Sequence, residues 1–262
     1  MKITKNMSKN ITIFTVDHSE YTSVILSKFL NTYGYKVNRI YISKTLFNFR
    51  FIKKNFWFFI KNRYPFCIKF KDWLAYLRLK LNIHKSNNKS MLSYYESLGF
   101  DVKIVKSINS PNFLKEAESL KSDFFIFLLF DQIAGESFIN IPKKGIYNLH
   151  LGKLPEYRGG LSSFWVLRNG DKTAGVSLHE VISKLDAGKI VSERRFLIDT
   201  NSMHDLMTKT VSYGADVVLE GVEAIINDKI KSISIKGRNE SYKLLPTSDD
   251  FKTFYAKGNR LV

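Results

Sequence analysis

The 262-residue sequence holds a single cysteine, Cys67, which excludes an internal disulfide framework and suits a reducing compartment, so a cytoplasmic location is expected. Long hydrophobic runs are missing too. Stretches such as Phe124 to Phe130 fall far short of the ~20 residues that cross a bilayer, and no membrane span is expected. Ile11 to Val16 is apolar but meets Asp17 at once, with no small-residue cleavage pattern, so a signal peptide is not expected. Arginine is scarce beside lysine, although Lys and Arg together number 41 against 24 Asp and Glu, a net charge of +17. Sequence-specific nucleic-acid contacts favour the bidentate arginine fork, so the scarcity weighs against nucleic acid as a partner. The lysine excess, with abundant Asn, Ile, Phe and Tyr, also fits an A/T-biased coding sequence.

What is present is a chain with 44% hydrophobic residues, enough for one large domain and a short appendage. Ile11 to Val16 reads as a buried strand, a helix follows to about Tyr33, and Val37 to Ile42 reads as a second strand. Strand, helix and strand in this length describe a right-handed crossover unit and a parallel α/β sheet. From about Thr45 to Tyr95 Lys and Arg alternate with aromatics. This stretch reads as helical, interrupted at Pro65, and two uses stay open: packing on the sheet, or a surface for an anionic partner. Further along, strands are expected at Val102 to Val105, Asp123 to Phe130, Ile146 to His150, Ala174 to Val181 and Ile190 to Ile198. Helices are expected at Asn112 to Leu120, at Ser162 to Arg168, and from a Ser202 cap to about Ile226. The organisation is thus a catalytic domain over 1–227 and an extension over 228–262, in which Ile230 to Ile235 and Tyr242 to Leu245 are expected to pair as a hairpin.

The chemistry concentrates between Tyr147 and Val191. Asn148 and His150 stand two apart in an extended segment and so share a face, and Asp186 sits in a turn before Ala187-Gly188. An amide donor, a titratable base and a carboxylate suit acyl transfer to an amine, which needs proton removal and a stabilised oxyanion. The same residues also fit a satisfied core histidine with polar neighbours.

The order Asn148-Leu149-His150, then Leu154-Pro155-Glu156-Tyr157-Arg158-Gly159, then Asp186-Ala187-Gly188-Lys189-Ile190 resembles the signature of the folate-dependent formyltransferases. The likeness runs from about Val102 to Ile226. It implies a Rossmann-like, doubly wound, mostly parallel sheet with the site at the strand ends. It also implies 10-formyltetrahydrofolate as co-substrate, with no metal. Asn148 would hold the oxyanion, His150 would act as base or as a second hydrogen-bond partner of the intermediate, and Asp186 would orient His150, relay protons through water and raise the His150 pKa. Phe130, Gln132 and Ile133 would border the pterin, with Ile182 and Leu185 as the other wall. Tyr157, Arg158 and Gly159 would meet the amine substrate. The loop Leu151-Gly152-Lys153 departs from the Pro-Ser-Leu found in many members, and it borders that substrate.

Among family members, the glycinamide ribonucleotide enzyme carries a glycine-rich cradle after its first strand, whereas Thr15 to Glu20 has no glycine. A nucleotide-linked amino sugar is therefore the expected acceptor, and a homodimer built through C-terminal elements the expected assembly. The alternatives are glycinamide ribonucleotide or another small amine, or a basic nucleic-acid-binding protein on the same fold.

Overall fold

The structure is a computed structural model and describes residues 10–16, 19–43, 91–234 and 238–262. Most of the helical stretch expected over 45–95, with Cys67, lies outside them. The described elements are strands β1 (Ile11–Val16), β2 (Val37–Ser43), β3 (Val102–Val105), β4 (Phe124–Leu128), β5 (Ile146–His150), β6 (Arg158–Gly159), β7 (Thr173–Glu180), β8 (Ile190–Leu197) and β9 (Tyr242–Lys243). The helices are α1 (Ser19–Tyr33), α2 (Met91–Ser97), α3 (Pro111–Ser119), α4 (Glu136–Ile139), α5 (Ser162–Asn169), α6 (Met203–Ile226) and α7 (Ser248–Ala256).

Seven strands form one sheet in the order β3-β2-β1-β4-β5-β7-β8. The pairs from β3 to β5 are parallel, while β5–β7 and β7–β8 are antiparallel. The mostly parallel, doubly wound sheet expected from the sequence is what forms. β1 and β4 are buried along their whole length, as strands covered on both faces must be.

The period-two alternation of these strands sorts their side chains into two cores. Ile11, Ile13, Phe124, Ile126, Tyr147 and Leu149 join the core under α1, α2 and α6. Phe14, Phe125, Phe127 and Ile146 face the other way, into an aromatic core closed by Phe113 of α3 and Phe138 of α4. In that second core the Phe14 ring lies 5.1–5.5 Å from five neighbouring rings, within the range where edge-to-face and offset contacts add to simple burial. Asn148 and His150 belong to the Ile146 face.

The long helix α6 begins where expected: the Ser202 side chain accepts from Asp205 N at 3.1 Å. The chain after it corrects the sequence reading. Residues 230–234 form no strand, and among the described residues no antiparallel hairpin joins them to Tyr242–Leu245. Tyr242–Lys243 pairs instead in parallel with Arg158–Gly159. Helix α7 then follows, opened by a capping box in which Thr247 and Asp250 exchange bonds. Phe251 and Phe254 of α7 bury against Phe164 and Trp165 of α5 and Leu206 of α6 in a third core. The C-terminal segment thus finds its apolar partners within its own chain.

Candidate active site

The strand order reverses between β1 and β4, the place where doubly wound sheets open a crevice at their carboxyl ends. A cavity of about 460 Å³ lies beyond the ends of β4 and β5. Its lining includes Asn148, His150, His179 and Asp186, all drawn to one place by strand register.

Asn148 and His150 point into the cavity because they are alternate residues at the end of β5. Antiparallel pairing sets Asn148 opposite His179 and His150 opposite Ser177, and cross-strand partners share a face. Ser177, fully buried, donates to the Gly152 carbonyl at 3.0 Å and accepts from Leu154 N at 3.3 Å, so β7 also ties down the loop that follows His150. Asp186 sits in the turn between β7 and β8 at φ 48°, in the left-handed region. Two residues later a Cβ on Gly188 would collide with the Glu180 carbonyl oxygen, so only glycine lets the turn close this tightly on the strand.

The hydrogen bonds assign the ring nitrogens. His150 Nε2 lies 2.6 Å from the Tyr157 carbonyl oxygen, which can only accept, so Nε2 carries hydrogen and Nδ1 is left as the basic nitrogen. Nδ1 faces Asp186 Oδ2 at 3.7 Å, too long for a direct hydrogen bond. Asp186 Oδ2 accepts from Gly159 N at 2.9 Å. His179 Nδ1 donates to the Glu180 carbonyl at 2.8 Å. In the tautomer this selects, His179 Nε2 accepts from Asn148 Nδ2 at 3.1 Å, leaving the second amide hydrogen of Asn148 unused. The other oxygen of Asp186 stands 3.4 Å from His179 Nε2.

Burial is the strongest influence on both ionisable groups. It pushes the His150 pKa below the usual histidine value, outweighing the nearby Asp186 carboxylate, while His179 pushes the same way. Asp186 acts upward on His150, the direction expected of it, but desolvation wins and the net shift is downward. For Asp186 burial acts upward, yet the His179 ring when it carries a proton on Nε2, together with His150 and the Gly159 N–H, outweighs it and holds the carboxyl down at about 2.

Of the other expected site residues, Phe130, Gln132, Ile133, Ile182, Leu185 and Gly159 line the cavity. Ile133 is 71% exposed, and Ile182 and Leu185 are about 40% exposed, so the rim is apolar and open. Gln132 also braces the loops, accepting from Ile108 N at 2.9 Å and donating to Ser43 Oγ at 3.1 Å. Tyr157 and Arg158 do not line it. Tyr157 is buried in the third core with its hydroxyl bonded to Asp171 and Asn169, and it reaches the site only through its carbonyl. Arg158 pairs with Glu240 at 3.4 Å. In the loop that departs from the family pattern, Leu151 lines the cavity while Lys153 is buried on Asp171 at 2.7 Å. A Cβ on Gly152 would stand 2.6 Å from His150 Nε2, so a larger residue there would displace the ring.

Sequence reasoning did not single out His179. Its signal was available: it lies three residues beyond Val176 on a strand, in phase with Gly175 and Ser177, just before the turn that carries Asp186. Among the described residues no cluster of His, Cys, Asp and Glu could hold a metal ion, and no helix is long and apolar enough to cross a membrane.

Residues 88–246 match the family described as formyl transferase. Among curated relatives, a methionyl-tRNA formyltransferase from Thermotoga neapolitana is 30% identical over 158 residues, 60% of this chain and 50% of that protein. A bifunctional polymyxin resistance protein ArnA from Wigglesworthia glossinidia brevipalpis is 31% identical over 153 residues, 58% of this chain but 22% of that protein. The chain therefore spans half or less of the length of these relatives. Among solved structures, an N-formyltransferase from Helicobacter canadensis in complex with folinic acid and dTDP-3-aminofucose superposes with a TM-score of 0.60 at 20% identity, over 90% of this chain and 71% of that one.

Proposed function

Because the chain belongs to the formyl transferase family, we propose that it moves the formyl group of 10-formyltetrahydrofolate onto the primary amine of a nucleotide-linked amino sugar. The observation that carries this reading is the convergence of Asn148, His150 and Asp186 on one cavity.

The cavity fits such a co-substrate by volume, within the ~300–1,000 Å³ of small-molecule sites, and by its apolar rim, which suits a flat heterocycle. Phe130 to Ile133 on one side and Ile182 to Leu185 on the other would enclose the pterin. The co-substrate supplies the formyl carbon. Asn148, oriented by His179, directs its free amide hydrogen at the oxygen that gains charge as the amine attacks. His150 Nδ1 takes the proton the attacking nitrogen gives up, and Asp186, ionised at neutral pH, stabilises the imidazolium so formed. A new bond forms from the amine nitrogen to the formyl carbon. The bond to the donor nitrogen of the folate breaks, and that nitrogen leaves with one proton.

The sugar acceptor is supported by the lack of glycine from Thr15 to Glu20 and by the similar structure that carries dTDP-3-aminofucose. A cytoplasmic setting, in keeping with the lone cysteine, and a homodimer belong to the same proposal. Exposed Leu197 on the edge strand β8 and exposed Leu244 offer apolar surface for the dimer. Light scattering should give twice the chain mass of 30.4 kDa, and a single-chain mass at micromolar concentration refutes the dimer. The activity is tested by incubating the protein with 10-formyltetrahydrofolate and, in parallel, dTDP-linked 3-amino and 4-amino sugars and glycinamide ribonucleotide. Formylation of a sugar nucleotide, seen by mass spectrometry, is expected. Formylation of glycinamide ribonucleotide alone overturns the acceptor, and no formylated product in any reaction overturns the activity.

A further inference from the structure

On the proposed assignment, the loops at 130–133 and 182–185 serve the folate, and the remaining wall of the cavity is built from Gly159 to Ser162, Met207 and Tyr242. Tyr242 comes from the C-terminal extension, and among the described residues of this wall it is the one ring. It is 50% exposed.

Its place is rigidly set. Arg238 grips both oxygens of Glu193, at 2.6 and 2.8 Å, and donates to the Leu154 carbonyl at 3.0 Å. Ser241 donates through its hydroxyl to the Glu156 carbonyl and through its N–H to the Pro155 carbonyl at 3.2 Å, and its own carbonyl accepts from Arg158 N at 3.0 Å. Lys243, the next residue in the strand, turns its ammonium toward the Trp165 and Tyr157 rings, 5.5 and 5.8 Å from their centroids. Alternation along β9 then sends Tyr242 to the opposite side, into the cavity. The backbone it pairs with is the stretch whose Tyr157 carbonyl holds His150 and whose Gly159 N–H holds Asp186. A ring fixed to that stretch stands at a set distance from the base. A diphosphate or a nucleobase lies several bonds away from the reacting amine in such an acceptor, whereas the hexose carries the amine itself.

Resting on the formyl-transfer reading, we propose that Tyr242 is a specificity-determining residue against which the apolar C–H face of the acceptor's amino-hexose ring stacks. A wide aromatic face costs little conformational entropy to order when its backbone is already pinned, and it covers a sugar ring without demanding hydrogen bonds. The extension thereby contributes to acceptor choice in cis.

Calorimetric titration of wild type, Tyr242→Ala and Tyr242→Phe with dTDP-3-aminofucose, dTDP and folinic acid tests it. Covering the open half of the ring predicts that Tyr242→Ala binds dTDP-3-aminofucose about tenfold more weakly, while dTDP and folinic acid change less than twofold. Tyr242→Phe keeps the ring and should bind as wild type does. Equal losses for dTDP and its sugar conjugate, a loss for folinic acid, or no loss at all overturns the proposal. So does a wild type that binds folinic acid but not dTDP-3-aminofucose, and in these cases formyl transfer itself still stands. A wild type that binds neither ligand defeats the formyl-transfer reading instead.

Discussion

At the scale of single residues, the site is organised by which nitrogen each histidine can spare. The Tyr157 carbonyl takes the Nε2–H of His150, and the Glu180 carbonyl takes the Nδ1–H of His179. His150 is left with a basic Nδ1 beside Asp186, and His179 with a lone pair that fixes the Asn148 amide. Because burial holds His150 below its usual pKa, the ring should be neutral at the pH where amines are nucleophilic. NMR titration of the imidazoles, assigned with His150→Gln, should therefore place His150 below the ordinary ~6.5, with kcat/KM losing the contribution of the base below that point. A midpoint above ~6.5 would show that Asp186 and not burial governs the ring. The linked effect on stability has a definite sign. A base with a depressed pKa binds more protons when unfolded, so its contribution is full above ~6.5 and is lost as pH falls. Asp186, held at about 2, adds stability above the ordinary carboxylate range, and this is lost only on strong acidification. Asn148, His150 and Asp186 were legible from their spacing and family likeness. His179 was passed over because its role is a matter of cross-strand register, which a single strand does not display. The expected role of Tyr157 depended on its side chain, whereas the structure uses its carbonyl, an atom every residue type carries.

At the scale of elements, the strands and the long helix followed their periodicity closely, since burial on both faces leaves β4 wholly and β1 largely apolar. The C-terminal segment did not. Two short apolar runs invited a hairpin, but β9 is two residues long and takes its partner from the loop after Pro155, a long-range pairing with no local signature. Helix α7 was not anticipated, although its Thr247-Ser248-Asp249-Asp250 start has the form of a capping box and Phe251 and Phe254 supply its buried face. The turn between β7 and β8 carries the clearest element-level prediction. Gly188→Ala must push the backbone away from the Glu180 carbonyl and carry Asp186 with it. It should lower the melting temperature by several degrees, a cost of about 1–3 kcal/mol, and depress kcat more than folate affinity. Wild-type kcat in a Gly188→Ala protein would mean that Asp186 is not held by this turn.

At the scale of the whole molecule, the doubly wound order puts the crevice at the switch between β1 and β4, and the antiparallel β7 and β8 extend one side of the sheet so that His179 and Asp186 reach β5. The third core then binds the C-terminal segment to α5 and α6, bringing Tyr242 to the same cavity. The fold was thus foreshadowed in the sequence from Ile11 onward, and the candidate site between Val102 and Ile226. The acceptor wall was not, because it is assembled from a loop and an extension about 80 residues apart. The basic stretch between Lys44 and Lys89 lies outside the described residues. The central claim is that Asn148 stabilises charge on the formyl oxygen while His150 and Asp186 handle the proton. Its most direct test is formyl transfer from 10-formyltetrahydrofolate to the acceptor the wild type uses, compared in wild type and Asn148→Ala. Loss of an oxyanion donor predicts kcat about 100- to 1,000-fold lower, with folate binding and melting temperature close to wild type. An Asn148→Ala protein that folds normally and turns over at the wild-type rate would contradict the account.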